Sequence, residues 1–390
     1  MFNLRMGRHF HIVNFALSRQ LAETYISVFL RNFAVAMIGI FLPIYLFKEL
    51  AYSFRTVLLF YIVLQSVACL SSPFIAKINA KHGCKHIILF SVPFTLIFYM
   101  ALDILKEVSY IFWIIPILGG ISESMYWIAF HVNFTKFTDN RHRGEEVSVW
   151  YVMTIVLGVI GPLIGALVLT FLSFNILFIL VALLLLASAL PLFSTEEVFS
   201  HSTFTIKSIF NSKRIKDGAA FVGYGARQMA GAVCWPFLIF FLVKSLYFNL
   251  GLVISVSSIF TALVAWLFVG RIVDKHSKRS FINWGTFIDS IVNVVRYFVN
   301  GFVQIIGLTV AGSVSYDLAD IPFSAKTYNK AQVDTLGYMT YRSIFVNLGR
   351  ILILIVPIIG SYFVDPLAPY EAFRITFVAL VPFIFLQRLI

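Results

Sequence analysis

Runs of apolar residues follow one another along almost the whole chain, separated only by short polar stretches or by Gly and Pro. A helix needs roughly 20 such residues to cross the ~30 Å hydrocarbon core of a bilayer. Read with that ruler, the sequence predicts twelve spans, near 24–47, 54–77, 84–103, 108–134, 146–172, 174–193, 218–243, 248–271, 279–301, 303–326, 336–363 and 369–390. The runs are continuously apolar rather than alternating with period two, which predicts helices and not a barrel. Composition closes the alternatives: 60% of the chain is hydrophobic, 12% is charged, and 42 Phe stand against 18 acidic residues. So little polar surface excludes a soluble α/β enzyme, a disordered tail or a nucleic-acid partner. The fold class is an all-α polytopic membrane protein with the lipid bilayer as its solvent.

Lys and Arg set the orientation, because they collect on the cytosolic side. With the N-terminus inside, 20 of the 30 basic residues fall in inside segments, five outside (Lys48, Arg55, Lys106, Lys244, Arg374) and five within spans. Both termini are expected in the cytosol of a cell-membrane protein. Residues 1–23 read as an interfacial lead-in. The patch Ile12 to Leu17, interrupted by Asn14 and lacking a cleavage site, does not make a signal peptide. The acceptor-like Asn133-Phe134-Thr135 lies at the cytosolic end of span 4 and is expected to be idle. Cys69 and Cys234 sit in apolar runs and Cys84 in a cytosolic loop; no disulfide, zinc site or other cofactor follows.

The polar stretch 194–217 divides the chain into residues 24–193 and 218–390, and the two parts resemble each other. Ala76 to Lys85 after span 2 repeats as Gly270 to Arg279 after span 8, offset by 194. Pro43 and Pro236, Lys48 and Lys244, Tyr52 and Tyr247, Pro162 and Pro357, and Gly165 and Gly360 recur at offsets of 193 to 196. Gly270-x-x-x-Asp274-Lys275-x-x-Lys278-Arg279 resembles the loop signature of the major facilitator superfamily. Gly158-x-x-Gly161-Pro162-x-x-Gly165 in span 5 is similar to the glycine-proline motif of its antiporter branches. The resemblance implies two pseudo-symmetric six-helix bundles that rock about a shared site, and these two motifs as the conformational ones. It departs from the family at Ala76 and Ala80, where Gly and Asp are usual, so only Asp274 can serve the acidic part of the cytosolic latch.

Ionisable side chains inside spans are costly, about 2.5–3.5 kcal/mol at the helix centre on insertion scales, and are therefore functional candidates. Glu123 in span 4 and Asp317 in span 10 are 194 apart; Arg31 in span 1 and Arg227 in span 7 are 196 apart. The resemblance implies that spans 1, 4, 7 and 10 line the central cavity, which would gather these four at one midplane site. The acids are candidates to load a proton. The arginines could pair with them or hold an anionic substrate by forked hydrogen bonds. Trp127, one turn after Glu123, could stack on a substrate, and Asp320 follows Asp317 by one turn, with Pro322 expected to unwind the helix there. His131 reads as a locally bonded residue. Asp289 and Arg296 share a face of span 9, a peripheral span in the family, and so read as structural; Arg350 lies deep enough in span 11 to need a partner.

No Walker loop, HExxH or nucleophile elbow occurs, which argues against an enzyme or an ATP-driven pump. The expected function is a monomeric secondary active transporter working by alternating access on a small-molecule substrate. Protons are the expected coupling ion and export by antiport the expected direction. The alternatives are an organic or phosphorylated anion exchanger or symporter, and a non-transporting receptor, sensor or lipid-handling protein of the same fold.

Overall fold

Long apolar runs without competing turn chemistry become helices because a bilayer leaves backbone polar groups no other partner. The computed structural model describes residues 19–137, 143–193, 209, 214–243, 246–264, 278–365 and 370–390, and they are helical almost throughout. Helix α1 (Arg19–Ile38) breaks and resumes through Leu42–Ile44 and a π-helical turn, Tyr45–Glu49. It is followed by α2 (Phe54–His82), α3 (Cys84–Asp103), α4 (Ile114–Phe137), α5 (Arg143–Phe171) and α6 (Phe174–Ala189). Helix α7 (Ile215–Met229) also passes through a π-helical turn, Ala230–Cys234, into Trp235–Leu242. Then come α8 (Tyr247–Val264), α9 (Lys278–Arg296), α10 (Phe302–Lys330), α11 (Thr335–Gly360) and α12 (Tyr370–Ala379), which resumes as Val381–Leu386.

The starts and stops have local causes. Ser53, Ser173 and Asp334 cap α2, α6 and α11 by accepting from the backbone N–H three residues on. The repeat-related Pro43 and Pro236 each stand in the first turn of a resumed helix, where a missing N–H costs nothing. Gly83, with φ of 85°, is the single residue between α2 and α3. The basic stretch Ala76 to Lys85, expected as a loop, is thus mostly helix, and Cys84 is a buried helical residue rather than a loop residue. Pro322 does not unwind α10, which runs unbroken past it.

By length and apolar composition eight described helices can cross a membrane: Ile26–Glu49, Phe54–His82, Cys84–Lys106, Phe174–Leu192, Ile215–Leu242, Phe302–Lys330, Thr335–Gly360 and Tyr370–Leu389. Val156–Phe171 and Tyr247–Leu263 are shorter apolar helices. Twelve spans are expected. Helices α4 and α9 are more polar than these: α4 carries Glu123 and His131, and α9 carries Lys278, Arg279, Asn283, Asp289, Asn293 and Arg296. Large apolar side chains point outward, such as Leu70 (72% exposed) and Phe171 (77%), as lipid-facing surfaces require.

Inside each half of the sequence, α4 packs on α2 and α3, α1 on α5 and α6, α7 on α11, and α9 on α10. The halves meet along α2 with α11 and α5 with α8. Small residues permit these approaches. A Cβ on Gly165 would fall 2.0 Å from the Met37 carbonyl oxygen, and one on Gly161 2.6 Å from Ala36 Cβ, so both seat α5 against α1. Gly158 faces Ser258 of α8 instead. Two apolar layers result. One holds Phe41, Tyr45, Phe60, Phe237 and Phe373; the other holds Tyr126, Phe130, Phe221, Phe323 and Tyr338. Polar and charged side chains lie between them.

Candidate functional site

Two adjoining cavities of about 360 Å³ each occupy the polar band. They share Thr154, Gly158, Gln228 and Tyr316 as walls.

The first cavity gathers Glu123, Trp127 and His131 of α4 with Asp320 of α10 and Arg342, Asn347 and Arg350 of α11. Arg350 is its hub. Its Nη1 donates to a Glu123 carboxylate oxygen in a short contact, to Gln65 Oε1 at 3.0 Å and to Asn347 Oδ1 at 3.2 Å. Its Nη2 donates to Gln228 Oε1 at 2.8 Å. Gln65 Nε2 in turn donates to the second Glu123 oxygen at 3.2 Å. The deep arginine of span 11 and the mid-span acid of span 4 are therefore one ion pair, drawn from opposite halves of the sequence. The His131 ring, expected to bond locally, makes hydrogen bonds across the halves. Its Nε2 accepts from Arg342 Nη1 at 2.9 Å, which leaves Nδ1–H to donate to Tyr328 Oη at 2.7 Å. Trp127 lies parallel to the His131 ring, centroids 5.4 Å apart.

The second cavity is walled by Arg227 of α7, Asp289, Asn293 and Arg296 of α9, and Thr309, Tyr316 and Asp317 of α10, with Trp235 beside them. Arg227 Nε approaches Asp289 Oδ2 at 2.7 Å, its Nη1 donates to Gln387 at 3.2 Å, and its guanidinium lies 4.3 Å from the Tyr316 ring centre. Arg296 lies 4.3 Å over the Trp235 ring and donates to Asn293 Oδ1 at 3.2 Å and to the Leu308 carbonyl at 3.4 Å.

Against the expectation of one site, Glu123, Trp127 and Asp320 wall one cavity and Asp317 and Arg227 the other. Arg31 walls neither; its guanidinium stacks 3.4 Å from the Tyr126 ring centre. The two repeat-related arginines thus each lie over a tyrosine of the fourth helix of their half, but neither pairs with Glu123 or Asp317. Helix α9, expected to be structural and peripheral, supplies three polar walls. Gln65 and Gln228 give no signal in the sequence, Arg296 reads there as structural, and the depth of Arg350 calls only for a partner. In the loop motif, Gly270, Asp274 and Lys275 lie outside the described residues, Lys278 begins α9 and Arg279 is exposed. Asn133 and Thr135 are buried in α4, consistent with an idle acceptor.

Contacts between the halves flank the cavities on both sides. On one, Arg55 Nε donates to Ser361 Oγ at 2.8 Å, Tyr247 Oη to Glu49 at 2.7 Å, and Phe47 packs on Phe237 and Phe241. On the other, Phe134 packs on Tyr328 at 4.9 Å, and the Ser72 and Ser343 hydroxyls meet at 3.0 Å.

Membrane-crossing helices enclosing charged cavities between two mutually contacting halves define an integral membrane protein. The chain belongs to the Major Facilitator Superfamily, a family of membrane transporters, whose sequence model matches residues 24–352. The uncharacterized protein YqgE of Bacillus subtilis (strain 168) is 22% identical over 345 residues, covering 83% of this chain and 78% of that one. The human organic anion transporter MFSD10 (TETRAN) superposes with a TM-score of 0.69 at 10% identity, over 95% of this chain and 98% of that one. A variant of the E. coli fucose:proton symporter FucP gives 0.64 at 14% identity, over 96% and 98%. At these identities the solved structures speak for the fold alone.

Proposed function

We propose that the protein is a proton-coupled secondary active transporter that moves a small solute through the paired cavities by alternating access, exporting it by antiport. The observation that carries this reading is the Glu123–Arg350 pair, because it joins the two halves at a cavity wall. A proton on Glu123 removes the negative charge that holds Arg350. Arg350 then keeps only Gln65, Gln228 and Asn347, all neutral, and the α4–α11 contact weakens. Protonation at one face and release at the other would thereby bias which side of the molecule is open. Antiport is read from the Gly158-x-x-Gly161-Pro162-x-x-Gly165 motif of α5, whose Gly161 and Gly165 seat the helix against α1 while Gly158 faces α8.

The test is a solute panel added to proteoliposomes that contain a pH-sensitive dye. Wild-type protein should move protons with at least one solute, and Glu123→Gln should still bind that solute while moving none. Proton movement that persists in Glu123→Gln would reject Glu123 as the coupling group.

A further inference from the structure

The second cavity carries charges that the proton-coupling pair does not use. Two guanidiniums, Arg227 and Arg296, face two carboxylates, Asp289 and Asp317, so the wall has no formal net charge. Only Arg227 and Asp289 are paired. Among the described residues Arg296 and Asp317 form no ion pair, with each other or with anything else. The cationic edge also has donors to spare: Arg227 Nη2 and Arg296 Nε are buried without a hydrogen-bond acceptor. Both side chains are more than nine-tenths buried, and unmet donors on a buried charge call for an oxyanion. The space for Arg296 is built in as well, since a Cβ at Gly312 would fall 2.2 Å from its Nη2.

A monoanion bound here would leave a net charge inside the membrane, which low dielectric penalises. A solute with both signs would meet the spare donors and Asp317 together and leave the cavity neutral. We propose that the cavity between α7, α9 and α10 binds a zwitterionic solute of amino-acid type, its carboxylate on Arg227 and Arg296 and its ammonium on Asp317. The site rests on the transport reading only for what is carried; occupancy is an equilibrium property that needs no proton gradient.

The experiment is titration of the purified full-length protein in detergent, followed by calorimetry and by tryptophan fluorescence, since Trp235 lies against Arg296. The probes are glycine, β-alanine and γ-aminobutyrate, each compared with the carboxylate and the amine of matched carbon number. At least one amino acid should bind tenfold or more tightly than both of its matched single-charge analogues. Equal affinity for the matched carboxylate, or no preference in any of the three sets, overturns the proposal. Asp317→Asn should remove the tenfold preference while carboxylate binding persists; a preference that survives this change also overturns it. Gly312→Ala, which displaces the Arg296 guanidinium, should weaken amino acids and carboxylates alike. Amino-acid preference with no proton movement in any liposome assay would leave this site standing and reject only the coupling mechanism.

Discussion

Arg350 reaches four acceptors on three other helices and its own, and this explains how a guanidinium can be held between membrane helices at all. Its contribution is conditional on Glu123. Removing one partner of a buried pair leaves the other charge uncompensated and typically costs 3–5 kcal/mol, whereas removing both costs far less. Both side chains are partly exposed, 14% and 24%, so the smaller end of that range applies. Arg350→Gln is expected to destabilise the protein by about 3 kcal/mol, and Glu123→Gln/Arg350→Gln by clearly less than the sum of the single changes. Thermal unfolding in detergent measures both; strict additivity would mean that the two charges do not support each other. A second cycle isolates His131. Tyr328→Phe removes one hydrogen bond at a cost of about 1 kcal/mol, while His131→Leu also strips Arg342 of its ring acceptor and should cost roughly 1–3 kcal/mol. Equal losses in the two variants would show that the Arg342 contact carries no weight.

Helices, at the next scale, were legible wherever apolar runs were unbroken: span 3, expected at 84–103, is helix Cys84–Asp103. The misreading at Ala76 to Lys85 has a physical cause. Helix α2 has 29 residues, and at ~1.5 Å per residue that is about 43 Å, more than the ~30 Å of hydrocarbon. Its basic end marks where the helix leaves the lipid, not where it stops; Gly83 stops it. Helix contacts follow from where side chains are missing. Gly165→Ala places a methyl group against the Met37 carbonyl, so α1 and α5 must separate, at a cost of about 1–3 kcal/mol. Gly307→Ala on α10 meets nothing within 4 Å and should be neutral or slightly stabilising. Comparable unfolding temperatures for the two variants would contradict the close α1–α5 contact.

In the whole molecule, the proposed alternating access requires the contacts between the halves on the two sides of the cavities to break in turn. The Arg55–Ser361 contact joins residues 306 apart in sequence and is a convenient place to hold one side shut. Replacing both by Cys, in a background without Cys69, Cys84 and Cys234, and joining them with a short bifunctional thiol reagent should abolish solute flux. A cleavable reagent should restore flux on reduction. Full flux in completely cross-linked protein would exclude rocking about this end.

The sequence by itself determined that the chain lives in a membrane, where most of its helices lie, and which few charges must be sheltered. Hydrocarbon tolerates neither unpaired backbone nor isolated charge, and that constraint is written locally, residue by residue. Only the tertiary structure decided who meets whom. Glu123 finds Arg350, 227 positions away, rather than Arg31, and Arg227 finds Asp289 rather than Asp317. Spacing along one helix says which face a charge occupies; its partner is fixed by how separate helices cross, and that depends on the glycines and aromatic layers of the entire bundle.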